Sequence, residues 1–115
     1  MGLFSFFKSK EGTLSHLTQE QFDDLLSTGQ LEKIYLIDTR FGGSDSNDNV
    51  LYVTKETAEI KKQFDADLEN YINMGRKVQG YMCLPSYKGK SRIPTSISIQ
   101  ANVDNELFRR DIRVW

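Results

Sequence analysis

Between residues 96 and 103 the side chains alternate without exception: Ile97, Ile99, Ala101 and Val103 are apolar, while Ser96, Ser98, Gln100 and Asn102 are polar. A period of two marks a strand with one dry and one wet face and does not fit the 3.6-residue repeat of a helix. Asp104 and Asn105 follow, a pair suited to a two-residue hairpin turn. Residues 107–115 then read as the return strand, with Phe108, Ile112 and Val114 inward and Arg109, Asp111, Arg113 and Trp115 outward. The dry face of such a hairpin needs a second layer to cover it.

Two helices supply that layer. Thr18 and Gln21 stand at the spacing of a capping box, Leu17 and Phe22 at that of a hydrophobic staple, and Gly29 is placed as a left-handed stop, so the first helix spans about 19–28. Thr54 caps a second helix in which Ile60, Phe64, Leu68 and Ile72 recur every four residues; Glu56, Glu59, Lys62, Asp65 and Glu69 form its solvated face, and Gly75 ends it. The apolar run Ile34, Tyr35, Leu36, Ile37 reads as a central strand, 50–53 as a short strand, 78–84 as a strand stopped by Pro85, and Pro94 as the opening of the next. The pattern predicts one α+β domain over 11–115 in the order α-β-β-α-β-β-β. Its architecture is a mainly antiparallel sheet of about five strands with two helices packed on one face.

Composition narrows the function classes. With 38% hydrophobic and 27% charged residues the chain is too apolar for a disordered protein. No run reaches the length of a membrane span. A net charge of −1 provides no global field for nucleic acid or an anionic membrane. One cysteine, Cys83, excludes an internal disulfide, and with a single histidine, His16, leaves a zinc site short of ligands. Cytoplasmic location is the expectation. The first ten residues form an apolar segment (Leu3, Phe4, Phe6, Phe7) fit to pack on the domain, meet a partner or touch a membrane weakly through 3–7. Phe6 stands where a myristoylation motif needs Ser or Thr.

Two loops carry the candidate chemistry. Asp45, Asn47, Asn49 and Glu56 fall at the spacing of calcium ligands in an EF-hand loop, but Val50 occupies the position that needs glycine, and strands rather than helices flank it; a polar hairpin loop is the expected reading. The loop 86–92 ends in Gly89-Lys90-Ser91, but the preceding Gly80 is too distant for a phosphate-binding loop. It does place Tyr87 beside Lys88, Lys90 and Arg92, with Arg109 and Arg113 close if the last strand runs alongside. Residues 85–115 hold six basic and three acidic residues, a local excess able to hold an anionic ligand or single-stranded nucleic acid.

No nucleophile stands beside an evident base, Cys83 lies in an apolar strand as an ordinary buried thiol, and no cofactor is indicated. Asp38 and Arg40 read as an ion pair at a strand end. The opening MGLFSFFK is similar to the starts of many small bacterial cytoplasmic proteins, and the strand-helix-strand portion 49–103 resembles small DNA-end-binding domains of the HIRAN type, with no site residue carried over. The leading expectation is a non-enzymatic protein-binding domain, such as an inhibitor or immunity protein of a bacterial toxin or enzyme. Its predicted contact residues are Tyr87, Lys88, Lys90, Arg92, Arg109, Arg113 and Trp115, types that include those enriched at interfaces. Nucleic-acid or anionic-ligand binding through 86–92 is the second expectation, and a small enzyme without a linear motif the third.

Overall fold

The computed structural model describes residues 14–115; the apolar segment 1–10 and the predicted domain start at residue 11 lie outside the described residues. The elements are α1 (Gln19–Ser27), β1 (Leu31–Tyr35), β2 (Val50–Thr54), α2 (Lys55–Asn73), β3 (Val78–Ser86), β4 (Ser96–Val103) and β5 (Glu106–Arg113). Single 3-10 turns lie at Leu14–His16, Thr39–Phe41 and Asn47–Asn49. This is the α+β order that the pattern predicts, and every strand pairing is antiparallel. The five strands divide into two sheets, β1-β2 and β3-β4-β5. The free edge of β3 is poorly suited to pairing: the register slips between Gln79 and Met82, Gly80 there takes a left-handed φ of +68°, and Pro85 contributes no N–H.

Both helix starts are fixed locally. The Thr18 hydroxyl accepts from the Gln21 backbone N at 3.1 Å while Gln21 Oε1 accepts from the Thr18 N at 3.0 Å, which satisfies two otherwise orphaned donors. Thr54 caps α2 through the Thr57 backbone N. At the other end Gly75 (φ +81°) lets its own N and that of Arg76 reach back to the carbonyls of Ile72 and Tyr71, both at 2.9 Å.

Helix α2 packs on β1, β2, β3 and β5 and so ties the two sheets together. The main core joins Phe22 and Leu25 of α1, Leu31 and Ile34 of β1, Leu51 and Val53 of β2, and Ile97 and Ile99 of β4. Leu68, Ala101 and Val103 form a smaller cluster at the far end of α2.

The run 34–37 is not a central strand: β1 ends at Tyr35, pairs only with β2, and leaves Ile37 37% exposed. Burial corrects three further side-chain placements. The buried stripe of α2 is Thr57, Ala58, Lys61, Asp65 and Leu68, so Asp65, predicted on the solvated face, is only 1% exposed. Ile72, predicted inward, is 44% exposed, and its neighbour Tyr71 takes the inward place, with its ring centroid 5.3 Å from that of Phe108. Trp115, predicted outward by continuing the β5 alternation, is buried. Strand β5 ends at Arg113, after which the backbone N–H groups of Val114 and Trp115 both donate to the Thr95 carbonyl (2.7 and 3.3 Å). That turn ends the alternation and folds the indole under the sheet. Strand β3 also continues through Pro85 to Ser86, with Pro85 opposite Ile97. An edge strand tolerates the missing donor.

Candidate functional site: the open face of the three-stranded sheet

The register of β3, β4 and β5 sets two faces. Ile97, Ile99, Ala101 and Val103 are buried and turn towards α2, with Ile112 and Cys83 in the same core. On the opposite face Met82, Gln100 and Arg109 form one row, Leu84, Ser98 and Asp111 the next, and Ser86, Ser96 and Arg113 the last. Both helices lie on the other side, and this face is open: Met82, Leu84 and Leu107 are 43%, 53% and 58% exposed. Met82 and Leu84 are neighbours on one face of β3 and border a second cleft with the 36–49 loop, while Leu107 stands on β5 across β4 from them; adjoining exposed aliphatics of this kind mark a candidate contact surface.

A groove of about 730 Å³ runs across this face, and among its lining residues are Leu84, Lys88, Ser96, Arg109, Asp111 and Arg113. The Asp111 carboxylate accepts from Arg109 Nε at 3.2 Å. The Ser98 hydroxyl and then Arg109 hold that carboxylate below the usual range. Asp111 therefore stays ionised and fixes one edge of the Arg109 guanidinium in place.

Four of the seven predicted contact residues converge here: Lys88, Arg109, Arg113 and Trp115 all line the groove. Trp115 borders the groove but is buried in the main core, with its indole N–H donating to the Ile93 carbonyl at 3.0 Å. Tyr87 is half-exposed but lies outside the groove lining, as does Lys90. Arg92 belongs elsewhere: its guanidinium lies 3.8 Å from the centroid of the Phe22 ring and its Nη1 donates to Gln19 Oε1 at 2.8 Å. It clamps α1, and the basic loop is split between two surfaces. Met82, Leu84 and Leu107 were not predicted as contacts. Pairing Leu84 with Ser98 would have revealed Met82 and Leu84, but that register is set by the β3 bulge and cannot be read from β3 alone; Leu107, opposite Asn102 across the two-residue turn, follows from the β4-β5 alternation itself.

Elsewhere, Lys61 Nζ lies 2.8 Å from Asp65 Oδ2, with both side chains almost fully buried. The Tyr81 hydroxyl donates to Asp65 Oδ1 at 2.7 Å, and the Lys61 ammonium sits 5.6 Å from the Tyr81 ring centroid. Burial, then the bond to Asp65, pushes the Tyr81 hydroxyl far above its ordinary pKa, so it keeps its proton. Burial likewise pushes the Cys83 thiol up to about 11. This cluster links α2 to β3 as a closed polar lock. Asp38 and Arg40 form the expected pair, at 3.2 Å.

The acidic loop is occupied internally. Asp45 accepts from the Tyr35 hydroxyl at 2.6 Å, while the Asn49 carboxamide bonds the Ile37 N and O and the Ser44 O. Among the described residues no group of three or more His, Cys, Asp or Glu side chains is placed to hold a metal. No described helix is long and apolar enough to cross a membrane. No protein-family model matches the chain, and no curated protein is significantly similar to it.

Proposed function

We propose that this chain is a non-enzymatic protein-binding domain, of the kind that acts as an inhibitor or immunity protein against a bacterial toxin or enzyme, and that it binds through the open face of β3-β4-β5. The observation that carries this reading is the pairing of exposed Met82, Leu84 and Leu107 with an arginine-bearing groove on a sheet whose other face is packed. Exposed aliphatic groups beside an oriented guanidinium, that of Arg109, have the makeup of an interface centre with a polar rim. The support is rigid: the register is closed at one end by the Asp104-Asn105 turn, with φ of 51° and 68°, and the polar lock beneath holds β3 on α2. A face so held binds with little ordering cost.

The test is site-specific photo-crosslinking in cells that naturally produce the protein. A photoreactive residue replacing Ser98 on the open face should give a discrete adduct with one protein. The same residue replacing Gln63, exposed on α2, should not. Absence of a protein adduct from Ser98, or identical products from both positions, overturns the proposal.

A further inference from the structure

We infer that the groove across β3-β4-β5 accepts an acidic, extended peptide segment, with carboxylates meeting Lys88, Arg109 and Arg113 and an aliphatic side chain seated on Leu84. The inference rests on the protein-binding reading above and adds the chemistry of what is bound.

Charge is the first argument. Of the groove's lining residues three are cationic and one, Asp111, is anionic, whereas the whole chain carries −1. The local sign is thus opposite to the global one, a separation that selects an anionic partner. Geometry is the second. Arg109 is held by Asp111 through Nε, and a guanidinium fixed on one edge offers its remaining N–H groups as a directed fork for a carboxylate. Arg113 stands four residues further along β5 on the same face, with Asp111 between the two arginines. Side chains on one face of a strand recur about every 7 Å, the repeat of an extended peptide lying alongside.

Wall chemistry separates a peptide from a nucleic acid. Single-stranded nucleic acids need aromatic platforms for their bases. Here Trp115, the one aromatic residue in the lining, is only 7% exposed, and Tyr87 lies outside the lining. What the groove does expose is Leu84, a seat for an aliphatic side chain. The volume, about 730 Å³, lies within the range of clefts that hold compact ligands, about 300–1,000 Å³. It suits a short segment.

Asp111 gives the proposal a specific test, because its carboxylate is the one anionic side chain in a lining that is to receive carboxylates. Binding to the full chain is measured by calorimetry with three probes: a capped peptide alternating glutamate and leucine, its glutamine counterpart, and oligothymidylate. The glutamate peptide should bind and the glutamine peptide should not. Lys88→Glu and Arg109→Gln should each weaken binding, about tenfold for loss of a charge-assisted contact, while Asp111→Asn, whose amide oxygen can still accept from Arg109 Nε, should tighten it about threefold by removing the one repelling charge in the lining. A purely structural role for Asp111 would not produce that gain. Equal binding of the two peptides, no binding of either, an unchanged or weakened Asp111→Asn variant, or tighter binding of oligothymidylate each overturns the inference. If the peptide fails while Ser98 still crosslinks to a protein, only the acidic-segment inference falls. Loss of the crosslink removes the protein-binding reading itself.

Discussion

Lys61 and Asp65 stand one turn apart on α2 and form a 2.8 Å ion pair with side chains only 4% and 2% exposed, capped by the Tyr81 hydroxyl. The pair is where the helix grips the sheet whose other face is open. Removing one member leaves an uncompensated buried charge, which costs about 3–5 kcal/mol. Lys61→Met and Asp65→Leu should each lower stability by about that amount in urea denaturation, and the double variant should recover part of the loss. A double variant as unstable as the sum of the singles would contradict the lock.

Trp115 is the second packing prediction. Its indole fills the core beside Ile93 and donates to the Ile93 carbonyl. Trp115→Ala should destabilise the domain by about 3–5 kcal/mol, and Trp115→Phe, which keeps the ring but loses the donor, by less. Thermal melts that match the unaltered protein would return Trp115 to the outer face.

Arg92 should separate stability from binding. Its stack on Phe22 and bond to Gln19 are surface contacts worth about 1 kcal/mol. Arg92→Ala should therefore cost roughly that much stability and leave binding at the groove unchanged. A binding loss similar to that of Lys88→Glu would place Arg92 on the contact surface after all.

Acid sensitivity should trace partly to Asp104. Its carboxylate accepts from Arg76 Nε at 2.8 Å and the Lys77 backbone N at 3.0 Å. Arg76 first, and then that backbone N–H, hold it below the usual range. A folded pKa below the unfolded one means a contribution fully present above about pH 4 and lost as pH falls through the folded value. Asp104→Asn keeps a residue type that tolerates φ > 0, and should lower the melting temperature at neutral pH while flattening its fall on acidification. Parallel acid profiles for the two proteins would contradict this linkage.

The Cys83 thiol provides a check at the alkaline end. With its pKa pushed up to about 11 by burial, it should resist alkylation at pH 8 and react appreciably only as the pH approaches 11. Rapid modification near neutrality would mean that β3 does not pack on α2 as described.

The local signals in the sequence carried most of the secondary structure. The alternation of 96–103, the Thr18–Gln21 box and the Gly75 stop each encode a conformation within a few residues, and each is found where those residues predict it. What could not be read depends on partners distant in sequence. Asp65 reads as solvated because a lone carboxylate avoids burial; Lys61 is only a turn away, but the Tyr81 hydroxyl that completes its partners comes from β3, sixteen residues on. Arg92 belongs with Lys88 in sequence but with Phe22 in space, because α1 packs against the far end of the basic loop. The open face was half legible: the polar side of β4 and the charges of β5 mark it, while Met82 and Leu84 join it only through the register that the bulge at Gly80 imposes.

The central claim is that the open sheet face is where a protein partner binds. Its most direct measure is the yield of the Ser98 photo-adduct with and without Leu84→Glu, a change at an exposed position that should leave the melting temperature nearly unaltered. A charge in the middle of the contact, facing acidic groups of the partner, should reduce that yield at least about tenfold. An unchanged yield from a folded Leu84→Glu protein would contradict the account.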